Sequence, residues 1–140
     1  MLGVDISVSL ENPMAEELYA GTCSICVGAV CGATIVEVAG EIDVATVSLL
    51  AKALGDAIQS GRGDLVMDAQ NLTYIDSAGI QTLISTQEKL ATQGRRMAVV
   101  GCHGIFHKLM SVSMLEGRFP TYSTVDEALM SLNAWDMPTV

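Results

Sequence analysis

Two stretches of helical period, each ended by a glycine and separated by a short apolar run, restrict this chain to folds in which helices pack on a sheet. The first carries Val47, Leu50, Ala51, Leu54, Ala57 and Ile58 on one stripe and stops at Gly61. The second carries Ile80, Leu83, Ile84, Gln87, Leu90 and Ala91 and stops at Gly94. Between them Leu65-Val66-Met67 reads as a short buried strand that leaves at Asp68. Arg96 to Val100 has the same near-continuous apolar character, and a short helix carrying Ile105, Phe106, Leu109 and Met110 follows it. A last strand is predicted at Phe119 to Tyr122, before a helix with Ala128, Leu129 and Leu132. The start of that helix, Ser123 or Thr124 with Asp126 or Glu127 three residues later, has the capping-box pattern. Strands alternating with helices in this way predict an α/β domain, a mixed β-sheet packed with about four α-helices.

Upstream, Cys23 to Val30 and Thr34 to Ala39 are β-prone runs joined through Cys31-Gly32-Ala33, a predicted hairpin. The second run leads into Gly40-Glu41-Ile42-Asp43, where Asp43 is the predicted N-cap of the first long helix. Gln70 to Ile75 is read as a segment that turns the chain toward Asp76-Ser77-Ala78-Gly79, where the second long helix begins. Val4 to Leu10 alternates like a half-buried strand, while Asn12-Pro13, Glu16, Glu17 and Gly21 predict a short helix from Pro13 to Ala20. Asn133 to Val140 is expected to fray, with Trp135 either capping the core edge or free. These boundaries give an N-terminal extension over 1–22, one domain over 23–133 and a tail over 134–140.

A chain of 140 residues buries enough surface for one core without metals or disulfides. Its net charge is −9 and no basic residue precedes Lys52, so a nucleic-acid backbone is repelled and a partner with a basic contact surface is favoured. No apolar run approaches the roughly 20 residues of a membrane span, and the first ten residues lack the pattern of a secretion signal, so the chain is expected in the cytosol. Its four cysteines, Cys23, Cys26, Cys31 and Cys102, are expected to stay reduced there. Residues three apart on a strand point to opposite faces, which argues against a shared metal or an easy disulfide for Cys23-x-x-Cys26 and for a structural role instead.

Catalytic signatures are absent from the sequence. There is no G-x-x-x-x-G-K-[ST], and Ser77 lies in no G-x-S-x-G elbow. His103 and His107 stand at i and i+4 without the glutamate of a metalloprotease motif, and are read as solvent-facing or helix-capping. The chain is therefore expected to be no enzyme.

Ser77 sits where an extended segment meets a helix start, among backbone N–H groups that lack intrahelical partners. A phosphate there would meet those N–H groups and the positive end of the helix dipole, while bringing about two negative charges. The plainer reading of such a serine is an N-cap. Asp76 beside it can orient the serine hydroxyl or cap the helix, and capping is its minimum role. Asp43 and Asp68 are expected near Ser77 at neighbouring strand or helix ends, where a phosphate would deepen a negative patch.

The wider pattern shifts the balance between these readings. Val38-Ala39-Gly40-Glu41-Ile42-Asp43 resembles the strand-ending G-E-[LI]-D of the STAS family, and Ile75-Asp76-Ser77-Ala78-Gly79-Ile80 resembles its [IM]-D-S-x-G-[LI]. Phe119-Pro120 through the capped last helix resembles the family's ending. The likeness runs from about Cys23 to Leu132 and is similar to the anti-anti-sigma factors within that family. It implies a phosphorylation site at Ser77 and a partner surface that includes Asp43, Asp76, Ser77, Ala78 and Gly79.

The implied partners are an anti-sigma factor that is itself a GHKL-type serine kinase, and a PP2C-type, metal-dependent serine phosphatase that resets the cycle; the ATP and magnesium would belong to the kinase, so the resemblance implies that this chain needs no cofactor of its own. A STAS subunit of a larger stress-signalling assembly, or a small-ligand sensor, is the alternative that the same motifs allow. Two departures stand out. Ala78 occupies a position where many members carry a second Ser or Thr, and the first twenty or so residues match nothing in the family. An added strand and helix, an arm for homodimerisation, or an upstream start with Met14 as a later one are all open for that segment.

Overall fold

The computed structural model describes residues 5–8, 16–20, 23–115 and 117–136. The chain runs β1 (Asp5–Val8), β2 (Glu16–Ala20), β3 (Cys23–Val30), β4 (Ala33–Ile42), α1 (Val47–Ser60), β5 (Leu65–Asp68) and β6 (Leu72–Ile75). It continues through α2 (Ser77–Thr92), β7 (Met97–Val100), α3 (Gly104–Val112), β8 (Thr121–Tyr122) and α4 (Val125–Asp136). One mixed sheet holds all the strands among the described residues, in the order β1-β2-β3-β4-β5-β7-β8, with β6 joining β4 off that path. The strands β1 to β4 pair antiparallel, whereas β5, β6, β7 and β8 join in parallel.

Alternation along the parallel strands divides the core in two. Leu65, Met67, Met97 and Val99 face a large cluster that includes Leu50, Leu54, Leu83, Leu90 and Phe106 from α1, α2 and α3. Val66, Ala98 and Val100 face the other way, against Ala128, Leu129 and Leu132 of α4. Two apolar faces, each covered by helices, explain why β5 and β7 read as continuous apolar runs.

Four sequence expectations change. Pro13 to Ala20 is not a helix where it is described, because Glu16–Ala20 is a strand paired antiparallel with β3. Backbone pairing along the edge of β3 outweighs the cap-like signals at Asn12-Pro13, which lie outside the described residues. The segment before Ser77 is more than a turn, since Leu72–Ile75 forms β6 on β4. Ala51 and Ala91 are exposed, and the buried positions of α1 include Leu49 and Ala53 in their place. Finally, α4 continues past Asn133 to Asp136. The remaining tail, 137–140, lies outside the described residues, as does the side chain of Trp135.

The predicted hairpin forms between β3 and β4, with Val30 opposite Ala33. Cys31 takes a positive φ of 52° in its two-residue turn. The Thr124 half of the expected capping box of α4 forms, with the Glu127 N–H donating to Thr124 Oγ1 at 3.1 Å.

Candidate functional site

The site is built where β4 changes partners. β4 pairs with β5 as far as Glu37 and Asp68, then with β6 from Gly40 onward, and the register shifts between Gly40 and Glu41. Gly40 takes a φ of 90° at this irregularity, a conformation that a side chain would strain. Its N–H donates to Asn71 O at 3.0 Å, and Thr73 Oγ1 donates to its carbonyl at 3.0 Å. The glycine of Gly40-Glu41-Ile42-Asp43 is thus the hinge that lets β6 dock and deliver Asp76 to the end of β4.

The Asp76 N–H donates to Ile42 O at 3.1 Å, which fixes the start of α2 beside Asp43. Asp76 Oδ1 then accepts the N–H of Gly79 at 3.1 Å. Asp76 is therefore the N-cap, and Ser77 is the first residue of the helix. The N-cap reading of Ser77 is overturned: its hydroxyl is exposed and takes no hydrogen bond within the described residues. The first turn leaves the N–H groups of Ser77 and Ala78 without intrahelical partners.

Gly79 is buried, and the cause is close packing. A Cβ there would lie 2.5 Å from Ile75 Cγ1 and 2.9 Å from Ile42 Cγ2. The glycine of the Asp76-Ser77-Ala78-Gly79 run lets α2 approach β4 and β6. Of the five residues expected at a partner surface, Gly79 acts by setting this approach, while Ser77 and Ala78 are exposed and Asp43 and Asp76 are half-buried.

Asp43 lies in the turn before α1 rather than at its cap. Its Oδ1 accepts the Ala45 N–H at 2.9 Å, its carbonyl accepts Val47 N–H at 2.8 Å, and Thr46 takes the N-cap position. Thr46 Oγ1 in turn accepts the Asp43 N–H at 2.9 Å and donates to Glu41 O at 2.8 Å, so the turn is tied back to the strand. Two carboxylates, Asp43 and Asp76, therefore flank the Ser77 end of the sheet.

Asp68 does not join them. It pairs in register with Glu37, five positions before Ile42 and so on the order of 15 Å along the strand. It is buried, and its Oδ1 accepts the Gln70 N–H at 3.0 Å.

Cys23, at the start of β3, pairs with Gly40 and is buried in the larger core. Burial pushes its thiol up to about 11, and the Asp43 carboxylate adds to that effect. Cys26 is half-buried and Cys31 exposed, and none of the four cysteines is in a disulfide. His103 stands at the N-cap position of α3, but its side chain does not cap. Its Nε2 instead meets Gln70 O at 3.0 Å, and His107 is exposed. Both histidines line a cleft of about 540 Å³ at the ends of β7 and β8, which Ser77 does not line.

Among the described residues, no helix is long and apolar enough to cross a membrane, and no group of three or more His, Cys, Asp and Glu could hold a metal ion. A groove of about 260 Å³ opens beside the serine, lined by Ser77, Ile80, Gln81 and Ile84 of α2 and by Leu109, Ser113 and Leu115 at the end of α3. The sequence marked Ser77 but not this groove. The signal for it lay in the spacing Ser77, Ile80, Gln81, Ile84, which is one face of a helix.

Comparison with known proteins agrees with this geometry. The STAS domain profile matches residues 28–128. The anti-sigma-F factor antagonist RsfB of Mycobacterium tuberculosis is 28% identical over 98 residues, covering 70% of this chain and 80% of that protein. An anti-sigma F factor antagonist of Paenibacillus polymyxa is 28% identical over 102 residues, covering 72% and 87%. The crystal structure of an anti-sigma factor antagonist from Mycobacterium paratuberculosis superposes with a TM-score of 0.72 at 29% identity, covering 79% of this chain and 94% of that one.

Proposed function

This chain belongs to the STAS domain family, and on that premise we propose that it is a cytoplasmic anti-sigma factor antagonist switched by phosphorylation of Ser77. The observation that carries the proposal is an exposed hydroxyl on the first residue of α2, with the cap already supplied by Asp76. A serine that caps its own helix has a structural reason to be there. Ser77 has none, so its hydroxyl is free for chemistry with a partner.

In the proposed cycle the unphosphorylated protein binds an anti-sigma factor of the GHKL serine-kinase type, and the sigma factor is freed. The kinase brings ATP and its magnesium. Ser77 Oγ then attacks the γ-phosphorus of ATP; the new O–P bond forms as the bond to ADP breaks, and the hydroxyl proton is released. A PP2C-type serine phosphatase resets the cycle with water, cleaving the O–P bond and releasing inorganic phosphate. This chain supplies an acceptor and a binding surface; it is not an enzyme, and it needs no cofactor.

Release follows from electrostatics. A phosphate on Ser77 puts about two negative charges beside the Asp76 carboxylate and close to Asp43, in a surface that must be desolvated for the partner to bind. The N–H groups of Ser77 and Ala78 can stabilise the phosphate in the free protein, which favours the unbound state further.

The test uses the full chain and each purified GHKL-type serine kinase of the same genome. With ATP and magnesium, mass spectrometry should place the phosphate on Ser77. Label mainly on Thr73, Ser85 or Thr86 would overturn the assignment, and no label from any of these kinases would overturn the switch.

A further inference from the structure

We infer that the cleft at the carboxyl ends of β7 and β8 binds a small uncharged polyol, a molecule of mono- or disaccharide size. This site is separate from Ser77 and does not depend on the switch proposed above.

The topology makes the cleft. β7 and β8 are parallel neighbours, yet the chain leaves β7 for α3, whose Phe106 and Met110 join the larger core. It leaves β8 for α4, whose Ala128 and Leu129 join the smaller core on the opposite face. Adjacent parallel strands whose helices part in this way open a crevice at their carboxyl ends, the general place for a ligand in an α/β sheet. Its floor is fixed by the backbone: the Ala69 N–H donates to Val100 O at 2.8 Å and the Gly101 N–H to Tyr122 O at 2.9 Å. Gly101, at a φ of 71°, has no room for a side chain, since a Cβ would lie 2.9 Å from Gln70 Cα. The cleft measures about 540 Å³, within the range of preformed small-molecule sites.

Its lining offers hydrogen bonds that the fold does not use. The side-chain amide of Gln70, the His107 imidazole and the hydroxyls of Thr121 and Ser123 take no hydrogen bond among the described residues. His103 Nε2 meets Gln70 O at 3.0 Å; a carbonyl only accepts, so Nε2 donates and the neutral ring presents Nδ1 as an acceptor. Glu127 adds a carboxylate whose Oε2 is likewise unbonded among the described residues. Tyr122 spends its hydroxyl on Ser131 Oγ at 2.8 Å, which leaves the ring as its contribution to the cleft. An amide, a carboxylate and hydroxyls beside one aromatic surface suit a polyol, whose O–H groups each donate and accept and whose C–H face packs on a ring.

Charge argues against the other classes. An anion would face Glu127 with no lysine or arginine in the lining. A cation would find one carboxylate and two positive helix ends, because α3 and α4 both begin here, at Gly104 and Val125. A metal ion lacks ligands, since no group of three or more His, Cys, Asp and Glu among the described residues could hold one.

The isotope-labelled, unphosphorylated full chain, titrated separately with glucose, trehalose, myo-inositol, putrescine and inorganic phosphate and followed by backbone amide NMR, tests this. At least one of the three polyols should shift the amides of Gln70, Gly101, His103 and Ser123 saturably and leave that of Ser77 in place. Glu127→Gln should raise its dissociation constant about tenfold, and Ser123→Ala by less. Both positions are exposed, so the melting temperatures of these variants should stay near that of the wild type. Met130→Ala, at a 73% exposed site on α4 that does not line the cleft, should bind like the wild type. No saturable shift from any of the three polyols overturns the inference. So does saturation of the same amides by phosphate or putrescine alone, which would assign the cleft to a charged ligand, or wild-type affinity in both Glu127→Gln and Ser123→Ala.

Discussion

Asp76 caps α2 through Gly79: its Oδ1 accepts the Gly79 N–H at 3.1 Å, while Gly79 itself is pressed against Ile75 and Ile42. The aspartate and the glycine that bracket Ser77 are both committed to the fold. Neither Ser77 nor Ala78 is so committed, and both are exposed. The four-residue run thus contains two structural positions and two surface positions, a division with consequences for stability that can be measured.

Ser77→Ala should change stability by no more than about 0.5 kcal/mol, because an exposed hydroxyl without a bond within the fold is removed. Asp76→Ala should lose about 0.5–2 kcal/mol with the cap, and Asp76→Asn should recover most of it. Urea titrations of the three variants check this. A larger loss for Ser77→Ala than for Asp76→Ala would return the cap to the serine.

Gly79→Ala adds a Cβ that cannot fit without moving Ile75 or Ile42. Overpacking of this kind costs about 1–3 kcal/mol, despite alanine's better helix propensity. Thermal melts should therefore show destabilisation. A neutral or stabilised Gly79→Ala would mean that α2 can lift from the sheet without penalty.

These residues also mark how far the sequence could be read. The helical stripes of α1 and α2 were legible because leucines and isoleucines at helical spacing have one stable place, the core. The alanines were legible only in part: Ala57 is buried as expected, but Ala53 is buried too while Ala51 and Ala91 are exposed, and a methyl group tolerates either. Asp43 was expected to cap α1, but the turn between β4 and α1 puts Thr46 at the N-cap position, and its hydroxyl bonds back to the Asp43 N–H instead of capping. Glu16–Ala20 became a strand through pairing with β3, a long-range event that local signals do not encode. Asp68 left the site for a similar reason: the change of partner along β4 separates the ends of β5 and β6. The motif around Ser77 was legible as a place, but the groove beside it needed α3 to be docked.

Cys23 gives a prediction in pH. Its folded thiol titrates near 11 against an ordinary 9.0, so the folded state holds its proton more tightly than the unfolded chain. The stability tied to that proton is present in full below pH 9 and is lost as pH rises toward 11, by about 2–3 kcal/mol. Other groups titrate in that range too, so the comparison is with Cys23→Ala. The gap between the two proteins should narrow between pH 9 and 11, and a constant gap would mean that the thiol is not held neutral. Iodoacetamide at pH 8 should label the exposed Cys31 well before Cys23.

Ser77→Ala and Ser77→Asp separate binding from folding. The cap belongs to Asp76, so both variants keep it, and a carboxylate on the first residue of α2 lies at the positive end of the helix dipole. Their melting temperatures should therefore be close, with Ser77→Asp equal or slightly higher. Binding should diverge. Ser77→Ala presents the same uncharged surface as the unphosphorylated protein and should hold the anti-sigma factor persistently, because it offers no acceptor for the phosphate that would end the complex. Ser77→Asp places a charge beside Asp76 in the surface to be desolvated, and its affinity should fall by about tenfold or more, corresponding to about 1.4 kcal/mol or more. Adding ATP should weaken the wild-type complex over time and leave the Ser77→Ala complex unchanged, a difference that a purely structural serine would not produce. Equal affinities for the two variants, or an ATP-dependent loss of the Ser77→Ala complex, would place the switch elsewhere on the chain.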